Sequence, residues 1–514
     1  MKTVTKLATG ALAMLMAFGA VGCGGDKGGN GGDNSQAAGK TTVQMYYWKS
    51  GLGIEFMEKI VADFNAQSTE YFIDMDHDSS ATTIMATLGL GKSNKYDLYF
   101  TMLNSMQYKP DFIKLDEVLD STPTGETKTI REKYNPALLN GVKDADGTTN
   151  FLTYGNGWCG LVYNADIIDG VKYKLPVTTD ELNYLTMDLT GDTSLGAKTK
   201  PWIFFSSSGG GAYWSYPMTA WQVQYDGVDY YNNNMLQLKD EAGNSPSKEV
   251  LLKKDGRYEA LKVASQIITP TSVHPESTNT NHTKVQTLFM NGEAVFMPNG
   301  SWLLNESGGT EDNVDVQMMK IPVISSIINV LPDKSVADDA ELSALVKAID
   351  AGETALRSDN FTYEVTQADF DRVKEARNVM YNNGSEQYVF IPEYSNAKEG
   401  AKEFLKYFYS DDALATYMQY TGSTNSANLT DKSKFDISTL TPWGQQQAKF
   451  ADELTAITGK LDKASVFMNT GLDSFMGLSY PGPLSAQNAK DRKTVDQLWD
   501  MLTKTVNENW EDWV

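Results

Sequence analysis

The sequence predicts an α/β fold built from βαβ units around a mainly parallel sheet. Two observations predict it. The first patterned stretch alternates, with Val43, Met45 and Tyr47 on one side of a strand. Apolar residues at helical spacing follow at once: Ile54, Met57, Ile60, Val61 and Phe64. The two periodicities then trade places again, with a strand at residues 71–75, a helix at 81–90 and a strand at 96–100. Strands separated by helices can pair side by side in the same direction, because the helix carries the chain back.

Further along, Asp146-Gly147 is a hairpin signal. It leads to a strand at 160–164 and to Thr178, whose partner Glu181 three residues on makes a capping box. Val285, Leu288 and Phe289 mark a helix, and 294–297 a short strand. Residues 333–384 read as an inserted helical unit. In it, Thr366 and Asp369 cap a helix that carries Phe370, Val373, Ala376, Val379 and Met380 inward and ends at Asn383-Gly384. Ala401, Phe404, Leu405 and Phe408 line one more amphipathic helix. A last one is capped by Thr494 with Gln497 and buries Val495, Leu498, Leu502 and Val506.

Residues 1–22 have the make-up of a signal peptide. Lys2 and Lys6 precede an apolar stretch from Leu7 to Val21 that is shorter than the roughly 20 residues a membrane span needs. Ala20-Val21-Gly22-Cys23 resembles the bacterial lipobox, which implies lipid attachment at Cys23; the alternative is an ordinary secretion signal with a chance cysteine. Residues 23–40, rich in Gly, Asp and Asn, read as a flexible tether.

Composition narrows the partners. The 514 residues, 41% of them hydrophobic, suffice for more than one domain. A net charge of −22 argues against nucleic acid or anionic lipid, both of which call for basic surface. If Cys23 carries lipid, Cys159 has no partner in the chain, and the fold does not depend on a disulfide. His77, His274 and His282 are scattered, so neither metal nor cofactor is expected. Asp74, Asp76, His77 and Asp78 read as a solvated loop, and Asp144 with Asp146 lacks the downstream Glu of a calcium loop. Residues 206–211 are glycine-rich without the Gly-Lys-Ser/Thr ending of a phosphate loop, and no Gly-x-Ser-x-Gly elbow is present. The ten Trp and 26 Tyr suit recognition of polar ligands with apolar faces, although composition alone does not separate site from core.

The order of the segments resembles the bacterial extracellular solute-binding proteins of the maltose-binding type, which serve ABC sugar importers. The resemblance rests on Phe64-Asn65, on Tyr96-Asp-Leu-Tyr-Phe100, on Leu161-Val-Tyr-Asn164 and on Leu175-Pro-Val-Thr-Thr-Asp-Glu-Leu182. It continues through Phe289-Met-Asn-Gly-Glu-Ala-Val-Phe-Met-Pro-Asn-Gly-Ser-Trp302, the segment 396–405 and Arg492-Lys-Thr-Val-Asp496. It implies a two-lobe periplasmic-binding-protein-like fold with crossing hinge strands and a ligand cleft between the lobes. The implied map is lobe 1 at 41–153, lobe 2 at 154–320, a return to lobe 1 at 321–428 interrupted by the insertion at 333–384, and lobe 2 again at 429–514.

Candidate ligand contacts follow from strand-end loops facing that cleft. Trp302 is placed to stack on a flat ligand, with a rim or core Trp as the alternative. Asn299 offers an amide or is a turn residue, and Tyr213 and Trp214 open a helix. Trp221, deeper in that helix, reads as core. Trp48, Lys49 and Asn104 follow strands, and Trp158 is either a hinge packer or a cleft wall. The expected function is non-enzymatic capture of a carbohydrate, an oligosaccharide, by a lipid-anchored monomer on the outer face of the cell membrane, with ABC importer permease subunits as partners. A membrane-tethered glycoside hydrolase and a carbohydrate sensor are the alternatives.

Overall fold

The computed structural model describes residues 37–49, 51–79, 81–102, 111–144, 146–205, 213–278, 280–307, 314–353, 365–384, 387–458, 482–486 and 488–513. Cys23, Asn104 and the 206–211 run lie outside them. In chain order the strands are β1 (Thr41–Trp48), β2 (Tyr71–Asp78), β3 (Leu98–Met102), β4 (Leu152–Thr153), β5 (Trp158–Asn164) and β6 (Lys200–Trp202). They continue with β7 (Ala294–Gly300), β8 (Val316–Met319), β9 (Val379–Asn382), β10 (Gln387–Phe390) and β11 (Thr455–Ile457). Two sheets result. One has the order β2-β1-β3-β10-β4; the other runs β11-β9-β5-β7-β6, with β8 also on β5.

Each sheet has its own core, and the two cores define two lobes. In the first lobe Val43, Met45 and Phe100 meet Phe56, Ile60, Phe404 and Phe408 from the helices Glu55–Gln67 and Lys398–Phe408. In the second, Trp202, Phe296 and Met318 pack with Trp221, Phe289, Leu345 and Phe370. The βαβ start forms as its pattern predicts, with β1 parallel to β2 and to β3. The sheets are mixed rather than mainly parallel, however. β10 runs antiparallel to β3 and β4, and β5 runs antiparallel to β7, β8 and β9. Strands that enter a sheet from the other lobe arrive in the opposite direction, and the local sequence does not encode that.

The main correction to the domain map concerns residues 321–382, which stay with the second lobe instead of returning to the first. Ile321, Val323, Leu342, Leu345, Val346, Phe370 and Val373 all bury in the second core. Arg377 fastens this stretch: Nη2 reaches Asp350 Oδ2 at 2.6 Å while Nη1 donates to the carbonyl of Ile321 at 3.1 Å. The helix Gln367–Asn378 is capped by Thr366, which accepts from the amide of Asp369, but it stops before Val379. Val379 and Met380 belong to β9, paired with β11, and β9 also pairs with β5. Sheet pairing thus claims an apolar run that reads equally well as a last helical turn. Asp146-Gly147 makes its turn, Gly147 donating to Asp144 at 2.9 Å, without two flanking strands. Asp74, Asp76, His77 and Asp78 are strand residues of β2, not a loop.

Candidate functional site

The chain crosses between lobes along 153–158 and has returned to the first sheet by Gln387, after leaving the second at Asn382; it leaves the first core after Leu429 and re-enters the second with Trp443. The first two crossings are bonded to one another: Asn383 donates to the carbonyl of Gly157 at 2.7 Å, and Tyr154 to that of Gln387 at 3.1 Å. Asn382 donates its amide to Asn156, and Asn156 donates onward to Thr424 at 2.9 Å. Ser426 donates to the carbonyl of Gly155 at 2.7 Å. Asn156, Asn382, Thr424 and Ser426 are all buried, so these bonds are made away from water, where leaving them unmade would be expensive. At Gly384 a Cβ would fall 2.1 Å from the carbonyl oxygen of Gly155, so only glycine lets the crossings lie this close.

Beside the crossings lies a half-open aromatic group. Trp302 follows β7 and is partly exposed. Its ring meets Tyr213 edge-on, centroids 5.7 Å apart at 71°, and Tyr216 at 6.2 Å and 80°. Tyr213 stacks on Tyr216 at 5.3 Å, and Tyr216 packs against Tyr381 of β9 at 5.1 Å. Phe205 extends the group, edge to Tyr213 at 5.0 Å. Two features set the position of the indole. A Cβ at Gly300 would sit 2.3 Å from the Trp302 ring, and Trp443 donates its indole N–H to the carbonyl of Ser301 at 3.1 Å. A Cβ on Gly157 of the first crossing would lie 3.5 Å from the same ring. Tyr213 has φ of +61°, a left-handed conformation that a bulky residue rarely adopts.

The first lobe faces this group with the loop after β1. A Cβ on Gly51 would lie 3.5 Å from Cγ of Glu306, which sits one turn beyond Trp302 in the helix Leu303–Glu306. The Glu306 carboxyl is pushed above its ordinary value by burial, an effect partly offset by the amide of Gln286, which donates to it at 2.7 Å. Lys49 is exposed on the facing loop.

Of the residues singled out from sequence, Trp302, Tyr213 and Lys49 keep exposed surface. The others do not. Trp214 and Trp158 are 0% exposed and Asn299 is 1% exposed. Trp214 packs on Trp202 and Phe204. Trp158 is therefore a packer of the second core rather than a cleft wall. Asn299 is inside β7 opposite Gly160, its side-chain Oδ1 accepting from the amide of Gly300 at 2.8 Å. Trp48 is nearly buried and donates to the carbonyl of Ser79 at 3.3 Å. Trp221 is core, its N–H on the carbonyl of Pro322. Sequence reasoning missed Tyr216, Tyr381, Gln286 and Glu306. Tyr216 lies three residues after Tyr213 and Glu306 four after Trp302, so helical spacing carried a signal for both.

Among the described residues no group of three His, Cys, Asp or Glu is placed to hold a metal ion, and no helix is long and apolar enough to cross a membrane.

Solved structures share this architecture. The cyclic α-maltosyl-1,6-maltose binding protein of Arthrobacter globiformis has a TM-score of 0.60 at 14% identity, over 91% of this chain and 99% of its own. The solute-binding protein RafE in complex with raffinose gives 0.53 at 13%, over 90% and 99%. An ABC transporter solute-binding protein of Agrobacterium radiobacter K84 in complex with ribitol gives 0.52 at 14%, over 90% and 98%. At these identities the likeness is one of fold. No curated protein matches significantly in sequence. A family profile does match, from residue 59 to residue 451, through the crossings and the aromatic group alike, and the chain therefore belongs to the bacterial extracellular solute-binding protein family.

Proposed function

We propose that this protein captures a carbohydrate, an oligosaccharide, between its lobes outside the cytoplasm and hands it to the permease subunits of an ABC importer. The observation that carries this reading is the half-open group of Trp302, Tyr213, Tyr216 and Tyr381 beside the interlobe crossings. Flat rings with polar rims suit a sugar, whose C–H face stacks while its hydroxyls seek hydrogen bonds. Hinged lobes then close over the ligand. The raffinose, maltosyl-maltose and ribitol proteins of the same fold support a polyhydroxylated ligand. The protein acts as a monomer and performs no chemistry on its cargo. Lipid at Cys23 would hold it at the outer face of the membrane, and Cys23→Ser should then move it from the detergent to the aqueous phase on partitioning.

The test is a thermal-shift panel with raffinose, maltooligosaccharides and ribitol, followed by analysis of the recovered sugar. A bound sugar at 100 times its Kd adds about 2.7 kcal/mol to stability. The expected result is a shift with at least one sugar, recovered intact. No shift with any of them would sink the carbohydrate reading, and a cleaved product would favour the glycoside hydrolase.

A further inference from the structure

We propose that Glu306, held by Gln286, accepts hydrogen bonds from neighbouring hydroxyls of the sugar ring stacked on Trp302. The assignment rests on the carbohydrate reading and deepens it by naming the polar anchor of the same cleft. Three observations carry it.

The first is placement. The amide of Glu306 donates to the carbonyl of Trp302 at 3.0 Å, so the two residues are four apart on one helical turn and share a face. Four residues at a helical rise put their Cα atoms about 6 Å apart along the axis. A ring stacked on an indole points its hydroxyls sideways, toward groups at about that distance.

The second is orientation. Gln286, on the helix His282–Met290, is only 4% exposed, and its Nε2 donates to Oε2 of Glu306 at 2.7 Å. A buried amide thereby fixes one carboxylate oxygen. The other, Oε1, lies toward the first lobe, where a Cβ on Gly51 would be 3.8 Å from it. The residue that faces it is a glycine, so the first lobe approaches Oε1 with backbone and with no Gly51 side chain.

The third is charge. Among the described residues no cation forms an ion pair with Glu306. An ionised carboxylate only accepts, and a partly buried one gains from donors that arrive with the ligand. Adjacent hydroxyls supply two such donors at the spacing of its two oxygens.

The pH dependence follows. Burial raises the Glu306 carboxyl, and hydroxyl donors favour its ionised form, so binding lowers it. Affinity should therefore weaken as pH falls through the range in which the free Glu306 takes up its proton. The other titratable groups nearby are Lys49 and Glu55 on the facing loop and His282 and Lys284 on the Gln286 helix. Lys284 is already paired with Glu276, and burial lowers His282. Comparison with Glu306→Gln isolates the Glu306 contribution from theirs.

The experiment is calorimetric titration of the full chain with raffinose and, separately, glucosamine, from about pH 4 to pH 7.5, on the parent, Glu306→Gln and Trp302→Ala. Ligand-free melting of each variant reports folding. Glu306→Gln should weaken raffinose about tenfold or more near neutral pH and flatten the acid-side loss of affinity, with melting little changed. Trp302→Ala should weaken binding while keeping the pH slope. If Trp302→Ala weakens raffinose but Glu306→Gln keeps both the affinity and the pH profile of the parent, this assignment fails alone. If the parent binds glucosamine and not raffinose, Glu306 serves a cation and the hydroxyl assignment fails. If the parent binds maltooligosaccharides in place of raffinose, the same titration is run with them and the same outcomes decide; if it binds none of the sugars, the carbohydrate reading fails and the assignment falls with it.

Discussion

Tyr213 and Trp214 are neighbours in sequence and belong to two different aromatic groups. Trp214 joins Trp202, Phe204 and Phe296, with centroid separations of 5.1–5.6 Å and every member at most 1% exposed. Tyr213 joins Tyr216, Trp302 and Tyr381 at similar separations, but Trp302, Tyr213 and Tyr381 keep open surface. Ring geometry is alike in both. The difference is the direction of the backbone as it enters the helix Ser215–Asp226, set by the left-handed φ of Tyr213. Such conformations cost about 1–3 kcal/mol and persist where surrounding contacts enforce them, often at binding sites. Aromatic richness therefore does not mark a site here. The turn that splits the two groups does.

The largest effect should separate them. Trp214→Ala opens a hole in a closed core and is expected to cost about 3–5 kcal/mol of stability in the ligand-free protein, read by denaturant titration. Trp302→Ala removes a partly exposed ring and should leave the ligand-free melting temperature nearly unchanged. Its loss should appear in sugar affinity instead, about 2 kcal/mol, or more than tenfold in Kd by calorimetry. If the two variants exchange these signatures, the division into closed and open groups is wrong.

How much of this was legible in the sequence depends on how local each feature is. The strand-helix-strand start, the caps at Thr178, Thr366 and Thr494, and the core faces of the late helices all depend on near neighbours. They form as read. Trp302 stood out because it follows a strand on a glycine-bearing loop. Asn299 misled for the same reason: it is the next-to-last residue of the strand rather than past its end, and β5 pairs with it. Trp214 could not be told from Tyr213 without the backbone angle between them. The return to the first lobe was placed too early because it is fixed by long-range pairing of β9 with β5 and β10 with β3. No local pattern distinguishes an apolar strand that stays in its lobe from one that leaves it.

A smaller effect sharpens the comparison from the open side. Gly300 ends β7 in a conformation open to other residues, yet an added methyl would sit 2.3 Å from the indole of Trp302. Gly300→Ala should therefore displace the ring without unfolding the strand. The expected readout is non-additivity: weaker sugar binding in the parent background and almost none of that loss in Trp302→Ala. A coupling of about 0.5–3 kcal/mol in the double-mutant cycle is the range for residues in contact. Additive losses would mean that Gly300 acts through the strand and not through Trp302.

The smallest effect on binding is expected at the far end of the helix that Tyr213 opens. Asp226 accepts from the amide of Gly256 at 2.9 Å, and its carboxyl is raised to about 7, first by burial and then by the charge of Asp255. Asp255 is itself raised by burial, and Arg257 beside them is lowered to about 10 by the same cause. In the unfolded chain Asp226 titrates near 3.9. Below about pH 4 it is protonated in both states and costs nothing. Between about pH 4 and pH 7 the folded state holds more protons than the unfolded one, so stability falls as pH rises; above about 7 the difference is constant. Asp226→Asn keeps an acceptor for Gly256 and carries no charge, so it should gain stability relative to the parent across that window and hold the gain at neutral pH. Sugar affinity should not change, because the residue lies at the opposite end of the helix from the open aromatic group. A stability difference that is flat from pH 4 to 7.5 would show that Asp226 is ionised in the fold at all these pH values. A changed affinity would show that the closed side of this helix communicates with the open one.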